Sequence, residues 1–264
     1  MLNAMAHTQF TGEQSAFARR RMERSGERAL FLCDWVRAVF IHYECDPELL
    51  QRLTPYPLDL RDGHAYVSLV AFTMVRLRPT FGGKLSEWLC APIATHSFMN
   101  VRTYVRHQET GTPGIFFLME WLPNRLSVLL GPAVYGLPYR FGRLDYHHDL
   151  AAGDISGCVD APPGQRLRYE SRVERDARLQ PCARGTLPEF LMERYTAFLC
   201  RGKSRVLFHI WHEPWPQTEL EVTLPETELL RAHCAWFPTA TRVGANYSSG
   251  VNDVWVGRPQ RVPM

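Results

Sequence analysis

The sequence predicts an α+β protein in which a mostly antiparallel β-sheet curves into a barrel and helices pack against it. Roughly nine segments of the chain have strand character, whereas roughly three or four have helical character. Most neighbouring strands are joined by turn-forming residues, which disfavours a regular parallel βαβ sheet. The strand candidates either alternate in polarity or are rich in β-branched and aromatic side chains, as strands with a buried face are.

Length and composition predict one large globular domain. The chain has 264 residues, of which 45% are hydrophobic and 22% are charged. A chain of this size and composition buries enough surface to form a core without disulfide bonds. We expect residues 1–29 to form a polar N-terminal extension and residues 30–264 to form a single barrel domain, since no shift in composition marks a further boundary.

Charge, cysteine spacing and hydrophobic run length exclude several classes of protein. The formal net charge of +3 is too small for a protein that binds nucleic acid through broad basicity. The apolar runs are far shorter than the ~20 residues of a membrane-spanning helix, and no export signal is visible. Seven scattered cysteines without CxxC spacing disfavour disulfide and zinc frameworks. We therefore expect a cytoplasmic protein that binds no nucleic acid, membrane, metal or cofactor.

The strands are assigned from β-branched and aromatic runs that turn residues interrupt. Asp62-Gly63 is a hairpin turn, with a partner strand expected at Leu58–Leu60. The turn-rich segment 109–114 predicts that the strands on either side of it are antiparallel. Strands are expected over residues 30–43, 65–77, 100–107, 115–122, 139–148, 166–175, 203–212, 218–224 and 251–257.

The helices are assigned from N-caps and apolar spacing. Asp46 caps a short helix that has Pro47 at its first position. Asn124 caps a second helix over residues 124–134, which Pro132 shortens. The capping box that begins at Thr186 opens a third helix, which is expected to continue through an apolar stripe to Gly202. A short fourth helix is expected near residues 225–236.

One strand carries a polar face that is suited to binding an anion. Because side chains alternate along a strand, Asn100, Arg102, Tyr104 and Arg106 lie on the same face. If that face looks into the barrel, Arg102 grips a carboxylate with its planar guanidinium while Asn100 donates a further hydrogen bond. The alternative is an exposed face, since charged residues are mostly exposed.

Glu120 is the candidate for proton transfer. Its strand face is shared with Phe116, Leu118 and Leu122, so desolvation is expected to raise the pKa of the Glu120 carboxyl. A structural carboxylate in an ion pair is the alternative. The paired histidines of the chain are spaced so that they point to opposite faces of a strand, which argues against a metal site.

Four segments together resemble the YqjF-like family of uncharacterised bacterial proteins, over roughly residues 30–258. They are Asn100–Val105, Tyr135–Tyr139, Phe190–Tyr195 and His212–Pro216. That family resembles a distant branch of the acetoacetate decarboxylase-like superfamily, which implies a strand-rich barrel around a small pocket. The resemblance therefore agrees with the fold that the strand pattern predicts.

The resemblance also identifies a missing group. Acetoacetate decarboxylase forms a Schiff base between a lysine and a β-keto acid, and that lysine stands in a Tyr-Pro-Lys-Lys motif. The matching residues here are Leu137-Pro138-Tyr139-Arg140, so a tyrosine occupies the lysine position and Arg140 keeps the adjacent positive charge. Lys84 and Lys203 lie in unrelated contexts. The resemblance thus implies that ordinary Schiff-base decarboxylation is absent.

The leading hypothesis is a pocket for a small carbonyl-containing organic acid that supports non-covalent lyase, hydratase or isomerase chemistry. The expected proton donors or acceptors are Tyr139 and Glu120, with the phenolate of Tyr139 stabilised by Arg102 and Arg140. The expected substrate-binding residues are Arg102, Arg140, Asn100 and Tyr104.

Two other hypotheses remain open from the sequence. A ligand-binding or sensing protein without turnover would line its barrel mouth with Trp211, Trp215 and Tyr247. An interaction protein would dock a partner or nucleic acid on Arg19–Arg28, although acidic residues interrupt that cluster. The expected partners are the organic acid and a second copy of the chain.

Overall fold

The computed structural model describes residues 12–175, 177–202 and 204–262. Lys203 and the first eleven residues of the N-terminal extension lie outside these ranges. The described residues form a mixed α+β protein of mostly strands, arranged in one ten-stranded sheet and one four-stranded sheet. No helix within the described ranges is long and apolar enough to cross a membrane.

The ten-stranded sheet contains the longest strands and surrounds the candidate site. Its strands follow the order β11-β13-β1-β2-β3-β4-β9-β10-β14, and β5 pairs with β4. The strands are β1 (Phe31–Cys45), β2 (Ala65–Pro79), β3 (His96–Arg106), β4 (Pro113–Leu122), β5 (Tyr139–Phe141), β9 (Thr196–Arg201), β10 (Ser204–Trp211), β11 (Gln217–Glu219), β13 (Thr241–Val256) and β14 (Gln260–Arg261).

The order of strands forms a ring. Strand β10 pairs with β9 on one side and also with β13, through Ile210 opposite Val256 and Trp211 opposite Trp255. The pairings are antiparallel except those of β4 with β5 and with β9. This agrees with the mostly antiparallel curved sheet that the turn residues predict.

The four-stranded sheet covers one face of the ring. Its strands are β12 (Glu221–Glu226), β8 (Gln165–Arg172), β7 (Asp154–Ala161) and β6 (Arg143–Asp149), in that order. A shared core of buried aliphatic and aromatic side chains fills the space between the two sheets, including Leu69 and Met99 from the ring and Leu167 and Tyr169 from β8. The cavity therefore forms on the side of the ten-stranded sheet that faces away from the four-stranded sheet.

Six helices pack on the sheets or join their strands in the described ranges. They are α1 (Glu13–Arg24), α2 (Pro47–Gln51), α3 (Gly83–Cys90), α4 (Arg125–Val134), α5 (Leu187–Met192) and α6 (Glu228–His233). The predicted caps are present: Asp46 accepts from two backbone amides of α2, and Asn124 accepts from the Ser127 amide. A 3-10 helix, Ala91–Ile93, follows α3 directly. Pro132 lies inside α4 rather than ending it.

Helix α1 belongs to the region that the sequence predicts as a polar extension. Its buried side chains are Ser15, Ala18 and Met22, which lie against Tyr195 and Trp211 of the main sheet region. The Ser15 hydroxyl donates to the His212 carbonyl oxygen over 2.5 Å. One side of this arginine-rich helix therefore packs on the fold, and Arg21 also points inward, donating to the Tyr195 carbonyl oxygen and the Thr196 hydroxyl, whereas Arg19, Arg20 and Arg24 are exposed.

The predicted helix over residues 186–202 is largely wrong. Thr186 does cap a helix, but α5 ends at Met192 and residues Thr196–Arg201 form strand β9. Strand β9 pairs along its length with β10 across the turn at Gly202, which has a φ of 60°. The apolar residues expected on one helical stripe are therefore divided between two elements, because strand pairing outweighs helical spacing here.

One further prediction is wrong, and the sequence does not predict three of the elements. Leu58 pairs with Val105 of β3 rather than forming a hairpin with β2, because the 61–64 turn closes on itself through Arg61 and His64. Strand β7, the first half of β13 and helix α3 were not predicted. Strand β7 carries small and polar residues that give a weak strand signal.

Candidate functional site

A cavity of about 340 Å³ lies on the inner face of the ring, under helix α4 and the segment that joins α3 to β3. Its walls are mostly apolar and come from at least five strands of the ring. The apolar lining includes Trp35, Val70, Phe72, Phe98, Ile115, Phe117, Phe208, Ile210 and Trp215. A cavity of this size and character is typical of small-molecule sites.

The register of three strands brings polar residues together at the buried end of this cavity. Asn100 of β3 lies opposite Glu120 of β4, and Glu120 lies opposite Tyr139 of β5. All three side chains line the cavity, as does Arg102, which is two residues from Asn100 on the same strand face. Four of the six sequence-predicted site residues are therefore neighbours.

Arg102 is a buried cation that lies near the buried Glu120 and Glu193 carboxyl groups without a hydrogen bond to either. Its side chain is 7% exposed, and its Nη2 donates to the Leu191 carbonyl oxygen over 3.0 Å. Its Nε has no hydrogen-bond partner, and it forms no ion pair with any carboxylate in the part of the chain that the structure describes. A guanidinium stays protonated even when buried, so this end of the cavity favours an anion.

The burial of Glu120 favours the protonated form of its carboxyl group. It is 2% exposed, and burial raises the pKa of its carboxyl well above the usual range, although Arg102 acts in the opposite direction. The sequence predicts this direction, but from the wrong neighbours: a register shift at Leu118 places Ile115 and Phe117, rather than Phe116 and Leu118, in the cavity lining with Glu120. Its Oε1 and the Oδ1 of Asn100 both lack a hydrogen-bond partner. A protonated Glu120 donates one hydrogen bond and accepts another.

Tyr139 also stays protonated. Burial raises the pKa of its hydroxyl well above the ordinary value, and the neighbouring Glu120 adds to this effect. The expectation of a phenolate stabilised by two guanidinium groups therefore does not fit the site. Its ring packs on α4 at Gly131, where an added Cβ would lie 2.3 Å from the Tyr139 ring. Glycine at that position lets the tyrosine approach the helix.

Arg140 lies outside the cavity. Consecutive side chains of a strand point to opposite faces, so β5 cannot direct both Tyr139 and Arg140 inward. The Arg140 side chain is exposed, and its Nη1 lies 3.0 Å from Nδ1 of His233. The expectation that Arg140 clamps the ligand is corrected by this placement.

Tyr104 and Arg106 share the strand face of Arg102 but do not line the cavity. Helix α5 covers this end of the face: the Tyr104 hydroxyl donates to the Leu191 carbonyl oxygen over 2.9 Å. Arg106 is exposed, and its Nε donates to Oδ1 of Asp59. The role of Tyr104 as a ligand-binding residue is corrected accordingly, because its hydroxyl is used within the fold.

Three polar residues of the cavity were not predicted from the sequence. Arg194 is held by Asp59, whose Oδ2 accepts from Nη1 over 2.6 Å. His212 donates from Nδ1 to the Glu213 carbonyl oxygen, and burial lowers the pKa of its imidazole to about 4. His96 has no partner at either ring nitrogen. The alternation that selects Asn100 also selects His96, four residues earlier on β3.

The aromatic residues expected at a barrel mouth are separated by the fold. Trp215 lines the cavity, whereas Trp211 packs against α1 and Tyr247 lies in the core between the two sheets. No group of three histidine, cysteine, aspartate or glutamate side chains within the described ranges is arranged to hold a metal ion.

Comparisons with known proteins agree with this architecture. The family model DUF2071, described as an uncharacterized conserved protein, matches residues 33–252. The chain is 24% identical to uncharacterized protein YqjF of Bacillus subtilis (strain 168) over 214 residues, which cover 77% of this chain and 81% of that protein.

Two solved enzyme structures superpose on this chain. Acetoacetate decarboxylase from Legionella pneumophila superposes with a TM-score of 0.61 at 13% identity, covering 89% of this chain and 88% of that chain. The enduracididine biosynthesis enzyme MppR, complexed with pyruvate, superposes with a TM-score of 0.57 at 12% identity, covering 88% of this chain and 89% of that chain. At such identities the likeness concerns the fold.

Proposed function

Since the chain belongs to the DUF2071 family and has the fold of acetoacetate decarboxylase-like enzymes, we propose that it binds a carbonyl-containing organic acid inside the ring of strands. The ring acts as the closed barrel that the sequence predicts, with the cavity as its binding site. The observation that carries the proposal is Arg102, a buried guanidinium without a carboxylate partner among the described residues. An anionic ligand supplies the missing negative charge.

The other polar groups complete a binding site for an acid. A ligand carboxylate accepts from Nε of Arg102 and from the protonated carboxyl of Glu120, in hydrogen bonds that charge strengthens. The Tyr139 hydroxyl donates to a carbonyl oxygen of the same ligand. The Oδ1 of Asn100, which lacks a protein partner, accepts from a ligand hydroxyl or amide. The pyruvate in the MppR structure supports a keto acid as the ligand class.

The chemistry that these groups support is non-covalent. A hydrogen bond from Tyr139 polarises the carbonyl group and stabilises an enolate or a hydrated form of the acid. This favours lyase, hydratase or isomerase chemistry. A Schiff base is disfavoured because a phenol cannot form an iminium, and Lys84 is exposed on α3 outside the cavity.

A second candidate is binding or sensing without turnover. The observation that favours it is the predominance of apolar and aromatic walls, including Trp35 and Trp215, around a small polar end. Such a cavity selects a ligand by shape without needing to transform it. Both candidates share the acid ligand, so they are separated by turnover rather than by affinity.

A panel of keto acids with borohydride tests the non-covalent form of the proposal. We expect calorimetry to detect binding of at least one keto acid, and mass spectrometry after reduction to find the protein at its unmodified mass. The exposed position of Lys84 is the reason for the second expectation. A reduced adduct at Lys84 or Lys203 would contradict it.

A further inference from the structure

We propose that the acid which binds in this cavity carries an extended apolar tail, and that the tail points to an opening between α4 and the 3-10 helix Ala91–Ile93. This inference rests on the proposed function and specifies its substrate class. It follows from the separation of polar and apolar groups along the cavity, from the position of its opening and from its volume.

The opening is identified by lining residues that are also exposed. Leu130 and Val134 of α4 line the cavity although they are 39% and 42% exposed. Facing them, Cys90 and Ile93 line the cavity from the end of α3 and the 3-10 helix, and both are half-buried. Because they line the cavity and are also in part exposed, we infer that the route from solvent passes between them.

The polar groups assigned to the acid are more deeply buried than these four residues. Arg102 and Glu120 are 7% and 2% exposed, and Asn100 is 6% exposed. A carboxylate that reaches Arg102 must therefore pass the opening and the apolar walls between. The rest of the ligand then lies along those walls and not in water.

The walls between the two ends suit a hydrocarbon chain or an aromatic group. They include Val70, Phe72, Phe98, Phe117, Phe208 and Ile210. The volume of about 340 Å³ corresponds to roughly eleven water-sized groups, at ~30 Å³ each. A two- or three-carbon acid leaves much of that space unfilled, and unfilled apolar space forfeits dispersion contacts. An acid with a longer apolar tail binds the polar groups through its carboxylate and also fills the apolar space.

Apolar side chains continue the wall onto the surface beside the opening. Leu85, Trp88 and Leu89 lie on α3 just before Cys90 and are 68%, 72% and 62% exposed. Leu129 of α4 is 71% exposed. A tail longer than the cavity therefore meets further apolar surface where it emerges.

A series of straight-chain carboxylates from acetate to dodecanoate tests the inference. We expect affinity measured by calorimetry to rise about fourfold with each added methylene, which is the ~0.8 kcal/mol gained when a methylene is buried. The rise is expected to level off once the tail reaches the opening. Decanol and decylamine, which have the tail without the acid, are expected to bind more weakly than decanoate.

Two matched variants locate the opening. Leu130→Asp places a charge beside the tail, whereas Leu126→Asp places it on the same helix at a residue that is 41% exposed and does not line the cavity. We expect Leu130→Asp to weaken decanoate binding at least tenfold and to leave acetate binding unchanged. Leu126→Asp is expected to leave both unchanged, and circular dichroism checks that each variant is folded.

The outcomes separate this inference from the proposed function. If acetate and pyruvate bind as tightly as decanoate, the inference of an apolar tail is wrong, while the proposed acid site remains supported. If Leu126→Asp weakens decanoate binding as much as Leu130→Asp does, the inferred position of the opening is wrong. If decanol binds as tightly as decanoate, or if no acid binds, the proposed function itself is wrong.

Discussion

A variant in which Arg102 is replaced by methionine is expected to lose acid binding and yet remain at least as stable as the wild type. Arg102 is buried, donates to one carbonyl oxygen of the protein and has no carboxylate partner in the described residues. A buried charge with so little compensation costs stability, and an apolar side chain of similar length removes that cost. The arginine is therefore better explained by a ligand than by the fold.

The expected loss of affinity is at least about 30-fold, or ~2 kcal/mol, which is the lower end for removing one partner of a buried charge pair. Calorimetry with a keto acid measures the affinity, and urea unfolding measures the free energy of unfolding. Undiminished binding by the variant would contradict the anion site.

Arg194→Met is the matched control for this experiment. Arg194 is also 7% exposed and lines the same cavity, but its Nη1 donates to Asp59. Removing it leaves the buried Asp59 carboxylate with Arg106 alone, so we expect this variant to lose about 2 kcal/mol of stability or more. If Arg102→Met were destabilised to the same extent, Arg102 would have a structural role instead.

Replacing Tyr139 with phenylalanine is expected to abolish turnover while leaving the affinity for the acid nearly unchanged. The hydroxyl is held protonated by burial and lies next to Glu120, so its role in the proposed reaction is to donate to a developing negative charge. Loss of one such positioned proton donor lowers rates by about 10²–10⁴-fold. The phenylalanine ring keeps the contact with Gly131.

Turnover of the keto acid that binds most tightly in the panel is the measurement for this prediction. Arg140→Gln serves as a control, because the exposed Arg140 side chain bonds His233 outside the cavity and its loss should leave the rate unchanged. Full activity of Tyr139→Phe would exclude Tyr139 as a proton carrier. A wild-type protein that binds the acid but turns over no member of the panel would favour the sensing candidate.

Strand alternation predicted part of the arrangement around the cavity. It requires only that side chains two residues apart share a face, which holds for Asn100 and Arg102. On β4 it fails, because a register shift at Leu118 places Ile115 and Phe117 in the cavity lining with Glu120. The same rule, applied between Tyr139 and Arg140, would have excluded Arg140 from the cavity. The resemblance to the decarboxylase motif points to both residues, but a sequence motif does not specify the strand face on which each side chain lies.

Other parts of the site depend on contacts that are distant in sequence. The capping residues at Thr186 predict where α5 begins, whereas its end depends on the pairing of β9 with β10. The predicted helix continues through residue 194 and therefore does not indicate that Arg194 lines the cavity. The opening depends on the spacing between α4 and the 3-10 helix after α3, and no local pattern encodes that distance.

The central claim is that the Arg102 guanidinium binds the carboxylate of an organic acid inside the ring. A crystal structure of the protein with a bound keto acid tests it most directly. We expect a carboxylate oxygen at about 3 Å from Nε of Arg102, with the Glu120 carboxyl and the Tyr139 hydroxyl also in contact with the ligand. An acid bound elsewhere, or with its carboxylate at the opening beside Leu130, would contradict the claim.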